Sequence, residues 1–322
     1  GLDSGEHRLP GHSVSGDHGI APFEGDHAGT FPGGVEHRGG LGVMVEPARP
    51  PVIQHHAEIE VVGPDEVASA VGSAVAAQPG WAATSVNLRA AALLKAADLY
   101  EENAPESFAL CAREAGKTLA DAVAEVREAA DFLRYYAVKA AKAEQTGEAR
   151  GVIACISPWN FPLAIFTGQI AAALVTGNAV IAKPAEQTPL IAARAVALLH
   201  EAGIPADVLH LLPGDGPSVG GSLTADPRIA GVCFTGSTEV ARLIERQLAK
   251  TAPADAMLIA ETGGLNAMIV DSTALPEQAV RDVGASAFQS AGQRCSALRI
   301  LYVQKDVEAK IHRLPLRYFD RH

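Results

Sequence analysis

The chain has 322 residues, of which 48% are hydrophobic and 5% aromatic, and its formal net charge is −11. This length can hold two domains and the composition is typical of a packed α/β protein, while the scattered Lys and Arg residues argue against a nucleic-acid partner. Four cysteines without paired spacing argue against disulfides or a zinc site, and no transmembrane run or signal peptide is evident, so a soluble cytoplasmic protein is expected.

Residues 1–56 differ in composition from the rest of the chain. They are rich in Gly, His and Pro, show no periodicity, and contain seven of the eleven histidines. Three interpretations stay open: a His-rich metal-binding tract, a disordered tail, and out-of-frame translation of a GC-rich gene. The histidines lack the spacing of metal ligands, so we predict no metal site. We expect residues 1–45 to be poorly ordered.

A helical region follows, from Glu58 to about residue 142. A short strand after Glu58 leads into a helix that we expect to end at the Gln-Pro-Gly of 78–80. A long helix is predicted at 87–103, and a second one stops near Gly116. The helix predicted at 118–142 has apolar residues on one stripe at helical spacing.

Residues 151–260 alternate strands and helices with short links. The predicted strands are nearly continuous apolar runs, as expected for parallel strands that are covered on both faces. This alternation indicates an α/β protein with a doubly wound parallel sheet. The strands are predicted at 151–156, 178–183, 207–212, 229–235 and 257–261, and the helices at 162–176, 188–202, 216–224 and 238–250. Three cysteines are predicted core residues: Cys155 and Cys233 lie inside these strands, and Cys111 lies in the earlier helix that stops near Gly116.

The first strand ends in the sequence SPWNFP, residues 157–162. Two prolines bracket Trp159 and Asn160, which favours a turn that aims the Asn side chain away from the sheet. A side-chain amide at that point can donate hydrogen bonds to an oxyanion. A turn Asn that merely caps the next helix is the alternative.

The second strand ends in KPAEQTP, residues 183–189, with a cation and an acid close together. Lys183 and Glu186 leave the carboxyl edge of the strand, where open α/β sheets bind ligands. Such a pair suits ribose hydroxyls and a phosphate. A solvated charge pair without a ligand is the alternative.

The sequence FTGSTEVAR, residues 234–242, runs from strand through a tight turn into a helix. Gly236 allows a backbone to approach closely, and Ser237 can cap the helix, whose N-terminus favours a phosphate. The sequence is not a GxGxxG fingerprint, so by itself it is a weak dinucleotide signal.

A carboxylate and a thiol follow the sheet. Glu261 precedes a Gly-Gly pair and a new strand at 266–270, and it could act as a general base. A helix at 276–291 then leads into a turn with Cys295, followed by a strand at 299–303. This thiol is a candidate nucleophile, because the thiolate is the reactive form and a polar turn can support it. A surface Glu and a buried structural thiol are the alternatives.

Five motifs in this order, SPWNFP, KPAEQTP, FTGSTEVA, ETGG and GQRCSA, resemble those of the NAD(P)-dependent aldehyde dehydrogenase superfamily. The resemblance runs from about Glu58 to Ile311. The amino-acid sequence around ETGG and GQRCSA is similar to that of the L-glutamate γ-semialdehyde (1-pyrroline-5-carboxylate) dehydrogenase module of bifunctional proline utilization A proteins. The resemblance implies a Rossmann-like NAD-binding sheet with N-terminal helices and a second α/β catalytic domain. The resemblance also implies oxidation of L-glutamate γ-semialdehyde to L-glutamate in proline degradation.

The resemblance implies three catalytic roles. Cys295 would attack the aldehyde to give a thiohemiacetal, and hydride transfer to the cofactor would leave a thioester. The Asn160 side chain and the Cys295 backbone N–H would hold the oxyanion. Glu261 would activate the water that hydrolyses the thioester.

The resemblance also implies the residues of the cofactor site. Lys183 and Glu186 would hold the adenosine ribose, Gly236 and Ser237 would lie beside the pyrophosphate, and Trp159 would line the cofactor cleft. Glu186 favours NAD over NADP, because a 2′-phosphate would meet its negative charge.

The chain departs from the family pattern at both ends, since the resemblance begins at about Glu58 and stops near Ile311. We therefore predict a disordered non-family segment at 1–56, an NAD-binding domain with N-terminal helices at 57–260, the start of an incomplete catalytic domain at 261–311, and a non-family tail at 312–322. This suggests a truncated or frame-disrupted gene product with exposed apolar surface and little or no activity. Full-length relatives are oligomeric, but this chain lacks their C-terminal oligomerisation strand.

Overall fold

The structure is a computed structural model that describes residues 61–143 and 147–319, without the side chains of 312 and 314–319. The predictions for residues 1–56 therefore lie outside the described residues. The same applies to most of the strand predicted after Glu58; residues 61–63, which are described, form no strand.

A parallel sheet forms the centre of the fold. In the described residues it has five strands in the order β3-β2-β1-β4-β5. Val152 and Ala179 are register partners on β1 and β2, and both are buried, as continuous apolar strands covered on both faces should be. The prediction of a doubly wound α/β sheet is confirmed. The strands are β1 Val152–Ile156, β2 Ala179–Lys183, β3 Leu209–Leu211, β4 Ile229–Thr235 and β5 Met257–Glu261.

Helices connect consecutive strands and leave the carboxyl edge of the sheet open. The order of the strands reverses between β1 and β4, and a crevice at such a switch point is where open α/β sheets bind ligands. A π-helical turn at Gly216–Gly220 precedes the third connecting helix. The connecting helices are α5 Ala164–Val175, α6 Pro189–Glu201, α7 Gly221–Ala225 and α8 Thr238–Thr251.

Helices that precede β1 pack onto the sheet and onto its connecting helices. Arg89 joins three of these elements, because its buried guanidinium donates hydrogen bonds to the carbonyls of Val175 (2.9 Å) and Ala82 (3.1 Å). Its burial lowers the pKa of Arg89. These helices are α1 Pro64–Ala83, α2 Val86–Glu102, α3 Ala104–Ala115 and α4 Leu119–Lys142.

The prediction that α1 ends at 78–80 is wrong, since the helix continues through Pro79 to Ala83. A proline inside a helix removes one backbone hydrogen bond. Tertiary contacts hold the last turn nevertheless: Gln78 Nε2 donates to the Gly177 carbonyl (3.1 Å), and Trp81 Nε1 donates to the Leu174 carbonyl (2.9 Å). Both partners lie far along the chain, so local sequence signals could not indicate them.

A second parallel sheet follows the first. Within the described residues it has two strands, and its small core contains Val270, Val280 and Ile311. One face remains open, because Leu265 and Ile269 are each 80% exposed. Its elements are β6 Asn266–Val270, α9 Pro276–Phe288, β7 Leu298–Val303 and α10 Lys305–Phe319.

The predicted helix at 276–291 ends early, at Phe288. A 3₁₀ turn at Gln289–Gly292 replaces its last part, and Ser290 and Ala291 have φ angles of 53° and 54°. Non-glycine residues seldom adopt this left-handed conformation. The helix therefore ends seven residues before the predicted nucleophile, Cys295. No helix of the described ranges is long and apolar enough to span a lipid bilayer.

Candidate active site

A cavity of about 770 Å³ opens at the carboxyl edge of the sheet, beside the switch point. The β1–α5 turn, the start of α8, the β5–β6 hinge and the turn before β7 contribute to its lining. Its lining includes six of the eight predicted site residues: Trp159, Asn160, Gly236, Ser237, Glu261 and Cys295.

The β1–α5 turn and the cysteine turn contact each other through Asn160. The Asn160 Nδ2 atom donates a hydrogen bond to the Gln293 carbonyl oxygen at 2.6 Å. The next residue, Phe161, is buried and anchors the turn, whereas Trp159 is 41% exposed. The predicted oxyanion donor, Asn160, is therefore hydrogen-bonded to the residue two positions before the predicted nucleophile, Cys295.

The cysteine turn is held by side chains that the motif analysis missed. Cys295 is exposed, and its carbonyl accepts a hydrogen bond from Asn266 Nδ2 at 2.7 Å. The same Nδ2 donates to the Ala297 carbonyl at 3.0 Å, and Arg299 Nη2 donates to the Gly292 carbonyl at 2.8 Å. The sequence places Asn266 at the start of a strand, two residues after a Gly-Gly pair, but this position does not indicate which carbonyls it binds.

Glu261 ends β5 at the mouth of the cavity and is exposed. Its backbone carbonyl accepts a hydrogen bond from the Gly236 N–H at 3.1 Å. This bond ties the end of β5 to the β4–α8 turn. Glu261, the predicted base, and the turn predicted to lie beside the pyrophosphate are thus joined at the same edge of the sheet.

The β4–α8 turn requires a glycine and presents a helix N-terminus. A Cβ atom at Gly236 would lie 2.5 Å from Cζ of Phe234, closer than real Cβ contacts. Ser237 Oγ accepts a hydrogen bond from the Val240 N–H at 3.2 Å and so caps the 14-residue helix α8. The N–H groups of a helix N-terminus attract anions such as phosphate.

Lys183 and Glu186 lie next to this cavity; among the described residues its lining takes in Ala185 but neither of them. Lys183 is 4% exposed, and its Nζ donates to the Pro184 carbonyl at 3.1 Å. Burial lowers the pKa of Lys183, against the opposing charges of Glu186 and Asp215. Glu186 is exposed and accepts a hydrogen bond from the Gln187 side chain.

Among the cysteines predicted to be core, Cys111 and Cys155 are buried, but Cys233 is only half-buried and lines the cavity. Cys233 and Cys155 are register partners on β4 and β1. The neighbouring Cys233 thiol, together with burial, raises the pKa of Cys155. The prediction that Cys233 is a core residue is therefore wrong. The apolar run of β4 indicated a buried strand, but the part of β4 that carries Cys233 lines the cavity.

Apolar and amide side chains from two helices form another part of the cavity wall. Phe132 of α4 lies against Gly168 of α5, where an added Cβ would be 3.0 Å from the ring. Gln169 Nε2 donates to Thr235 Oγ1 at 3.0 Å. These residues carry no local motif, since helical spacing alone does not distinguish a cavity wall from a core face.

The sequence profile of the aldehyde dehydrogenase family matches residues 44–316. The chain belongs to the aldehyde dehydrogenase family. This match is wider than the span from 58 to 311 that the five motifs indicated. The predicted domain boundaries remain predictions.

Two curated aldehyde dehydrogenase relatives show how much of a longer protein this chain covers. It is 55% identical to the bifunctional protein PutA of Escherichia coli over 274 residues, which are 84% of this chain and 21% of that protein. It is 40% identical to 1-pyrroline-5-carboxylate dehydrogenase of Anoxybacillus flavithermus over 260 residues, 76% of this chain and 50% of that protein. The chain thus spans about a fifth of the first relative and half of the second.

Solved structures show the same fold. A structure of 1-pyrroline-5-carboxylate dehydrogenase from Thermus with bound NAD matches 81% of this chain and 54% of that chain, with a TM-score of 0.77 and 36% identity. A proline utilization A structure from Bradyrhizobium japonicum matches 80% of this chain and 28% of that chain, with a TM-score of 0.76 and 55% identity.

Proposed function

We propose that this chain carries the catalytic residues for NAD-dependent oxidation of L-glutamate γ-semialdehyde (1-pyrroline-5-carboxylate) to L-glutamate, through a cysteine thioester, in proline degradation. The observation that carries the proposal is the shared cavity lined by Cys295, Asn160 and Glu261. The substrate is supported by the relatives, which include enzymes named 1-pyrroline-5-carboxylate dehydrogenase.

In the first half-reaction the Cys295 thiolate attacks the aldehyde carbon, and a carbon–sulfur bond forms while negative charge develops on the oxygen. The Asn160 side chain and the Cys295 backbone N–H donate hydrogen bonds to that oxygen. The Asn160 amide nitrogen donates one N–H to Gln293, and its second N–H can serve the oxyanion. Loss of hydride from the same carbon converts the thiohemiacetal into a thioester.

In the second half-reaction Glu261 accepts a proton from a water molecule whose oxygen attacks the thioester carbon. The carbon–sulfur bond breaks, L-glutamate leaves and the Cys295 thiolate is restored. The exposed position of Glu261, next to a Gly-Gly pair, gives its side chain access to water.

The residues present fit a dinucleotide at the open edge of the sheet. A Cβ at Gly236 would clash with Phe234, so the glycine keeps the β4–α8 turn in place, and the capped N-terminus of α8 suits a pyrophosphate. Lys183 and Glu186 would hold the adenosine ribose, and Trp159 would line the cleft. Bound NAD would supply the hydride acceptor.

The test is NADH formation by the purified 322-residue chain with 1-pyrroline-5-carboxylate, compared with the Cys295→Ala variant. The proposal predicts turnover by the wild type, against the little or no activity expected from the sequence alone, and a loss of about 10³-fold or more in the variant, whose NAD affinity by calorimetry stays unchanged. A Cys295→Ala protein that retained the wild-type rate would overturn the proposal.

A second candidate is an NAD-binding fragment without turnover. It is favoured by the exposure of Ile269, which leaves one face of the second sheet uncovered. This candidate predicts NAD binding by calorimetry and no NADH formation. A third candidate, another aldehyde as substrate, is separated by comparing kcat/KM across aldehydes.

A further inference from the structure

A buried ion pair lies outside the residues that line the cavity and has no role in the proposed reaction. Lys117 Nζ and Glu125 Oε1 are 3.1 Å apart, and their side chains are 6% and 1% exposed. Removing two charges from water is costly, and replacing such a pair by apolar residues is often neutral or stabilising. The position of this pair therefore calls for an explanation other than stability.

Glu125 holds the beginning of α5. Its Oε2 accepts hydrogen bonds from the backbone N–H groups of Leu163 (3.2 Å) and Ala164 (2.9 Å). These groups follow Asn160 by three and four residues. Burial raises the pKa of Glu125, while Lys117 and the two N–H groups favour its charged form. The carboxylate thus fixes the oxyanion turn from a position outside the cavity lining.

Lys117 reaches the same turn through an aromatic ring. Its Nζ lies 4.5 Å from the centroid of the Phe161 ring, and the Cζ atom of Arg294 lies 5.5 Å from the same centroid. A cation at these distances is attracted by the ring face. Phe161 directly follows Asn160, and Arg294 directly precedes Cys295. The buried ring of Phe161, which belongs to the turn that carries Asn160, therefore contacts both Lys117 and the turn that carries Cys295.

We propose that Lys117 and Glu125 are a positioning pair that fixes the Asn160 turn and, through Phe161 and Arg294, orients the Cys295 turn against it. The proposal rests on the proposed function, because it assigns the pair a purpose in that site. Neither residue touches the reacting atoms. Their effect is to hold the amide donor and the thiol in one geometry, which matters because small misplacements in such sites slow catalysis.

The test removes each charge with little change of shape, by Lys117→Met and Glu125→Gln, and also combines the two changes. The readout is the rate at which iodoacetamide alkylates Cys295 in the folded protein, measured by peptide mass spectrometry. We expect each single variant to slow Cys295 alkylation about fivefold, because the turns that carry Asn160 and Arg294 beside the thiol lose their common orientation. Lys117→Arg, which keeps a cation over the ring, should retain the wild-type rate.

Controls separate positioning from folding. Cys111 is buried, so its protection from alkylation reports that each variant is folded. Glu101→Gln removes one partner of an exposed α2–α4 ion pair with Arg134, 2.7 Å long, and should leave Cys295 alkylation unchanged. If a single variant does not fold, the double variant, which leaves no unpaired buried charge, carries the test.

The outcomes distinguish this proposal from the function on which it rests. Slower Cys295 alkylation supports the pair as a positioning device even in a chain without turnover. Unchanged Cys295 alkylation, with only a lower free energy of unfolding, overturns it and leaves the proposed function intact. In a chain with turnover, kcat should fall about 10-fold to 100-fold while KM changes little.

Discussion

Gly236 has little room at the edge of the sheet where NAD is proposed to bind. An added Cβ would lie 2.5 Å from Cζ of Phe234, and that ring is itself buried. We expect Gly236→Ala to displace the turn, to weaken NAD binding about tenfold and to lower the free energy of unfolding by about 1–3 kcal/mol. Calorimetry with NAD and urea denaturation measure the two effects.

A matched control is available in α1. A Cβ at Gly80 would meet nothing within 4 Å, so Gly80→Ala should keep NAD affinity and leave stability unchanged or raised by about 0.5–1 kcal/mol. Equal NAD affinity in Gly236→Ala and Gly80→Ala proteins would show that the close approach at Gly236 has no bearing on the cofactor.

Residues of the site differ in how far the sequence could indicate them. Asn160 was predicted because two prolines bracket it after a strand, and Glu261 because a carboxylate at the end of a strand, before a Gly-Gly pair, can act as a general base. Asn266 and Glu125 were missed, because their partners lie 29 and 38 residues away and no local pattern marks the contact. Roles that depend on packing between distant elements can be identified only in the folded chain.

At the scale of elements, an Arg–Asp fork closes the turn between α7 and β4. Arg228 Nε donates to Asp226 Oδ1 at 2.9 Å and Nη2 to Oδ2 at 2.5 Å, and Nη2 also donates to the Ala68 carbonyl in α1. Asp226→Asn should lower the free energy of unfolding by about 1 kcal/mol near neutral pH, a value kept small because Arg228 is partly exposed to solvent.

The effect of Asp226→Asn should depend on pH. Arg228 holds the pKa of Asp226 below its ordinary value, so the folded state favours the charged carboxylate. The stabilisation is fully present above the unfolded pKa of about 4 and is lost as pH falls through the lower folded value. Urea denaturation at neutral and acidic pH should therefore show the wild type and the variant converging in acid.

Asp282→Asn is the control for this prediction. Asp282 contacts Arg281 through a single 3.4 Å ion pair, and both side chains are exposed. This change should cost less than about 0.5 kcal/mol at every pH. A gap between wild type and Asp226→Asn that persisted unchanged in acid would contradict the assignment to the fork.

The elements that the sequence predicted well are those whose signal is local. The strands β4 and β5 were located to the residue from their continuous apolar runs, although β5, at the edge of the sheet, is only partly buried. The end of α1 was misplaced because distant carbonyls hold its last turn beyond Pro79. The end of α9 was misplaced because Ser290 and Ala291 adopt a conformation that their residue types disfavour.

At the scale of the whole molecule, the two sheets differ in how much core supports them. The five-stranded sheet belongs to a large cluster of buried residues, and all five residues of β2 are buried. The second sheet has few buried hydrophobic residues: in the described part of the chain, three form its core cluster and Leu298 of β7 is buried as well. Regions with few buried apolar contacts open at lower free energy than the global unfolding of the protein.

We therefore predict that the second sheet opens separately from the first. Backbone amides of β6 and β7 should exchange with deuterium at least about tenfold faster than those of β1 and β2, with a weaker dependence on denaturant. Val280→Ala should speed exchange in β6 and β7 alone, whereas Val180→Ala, in buried β2, should speed exchange in the large sheet. Mass spectrometry of peptides from both sheets measures this. Equal protection and equal denaturant dependence in β1 and β6 would mean that the two sheets unfold as one unit.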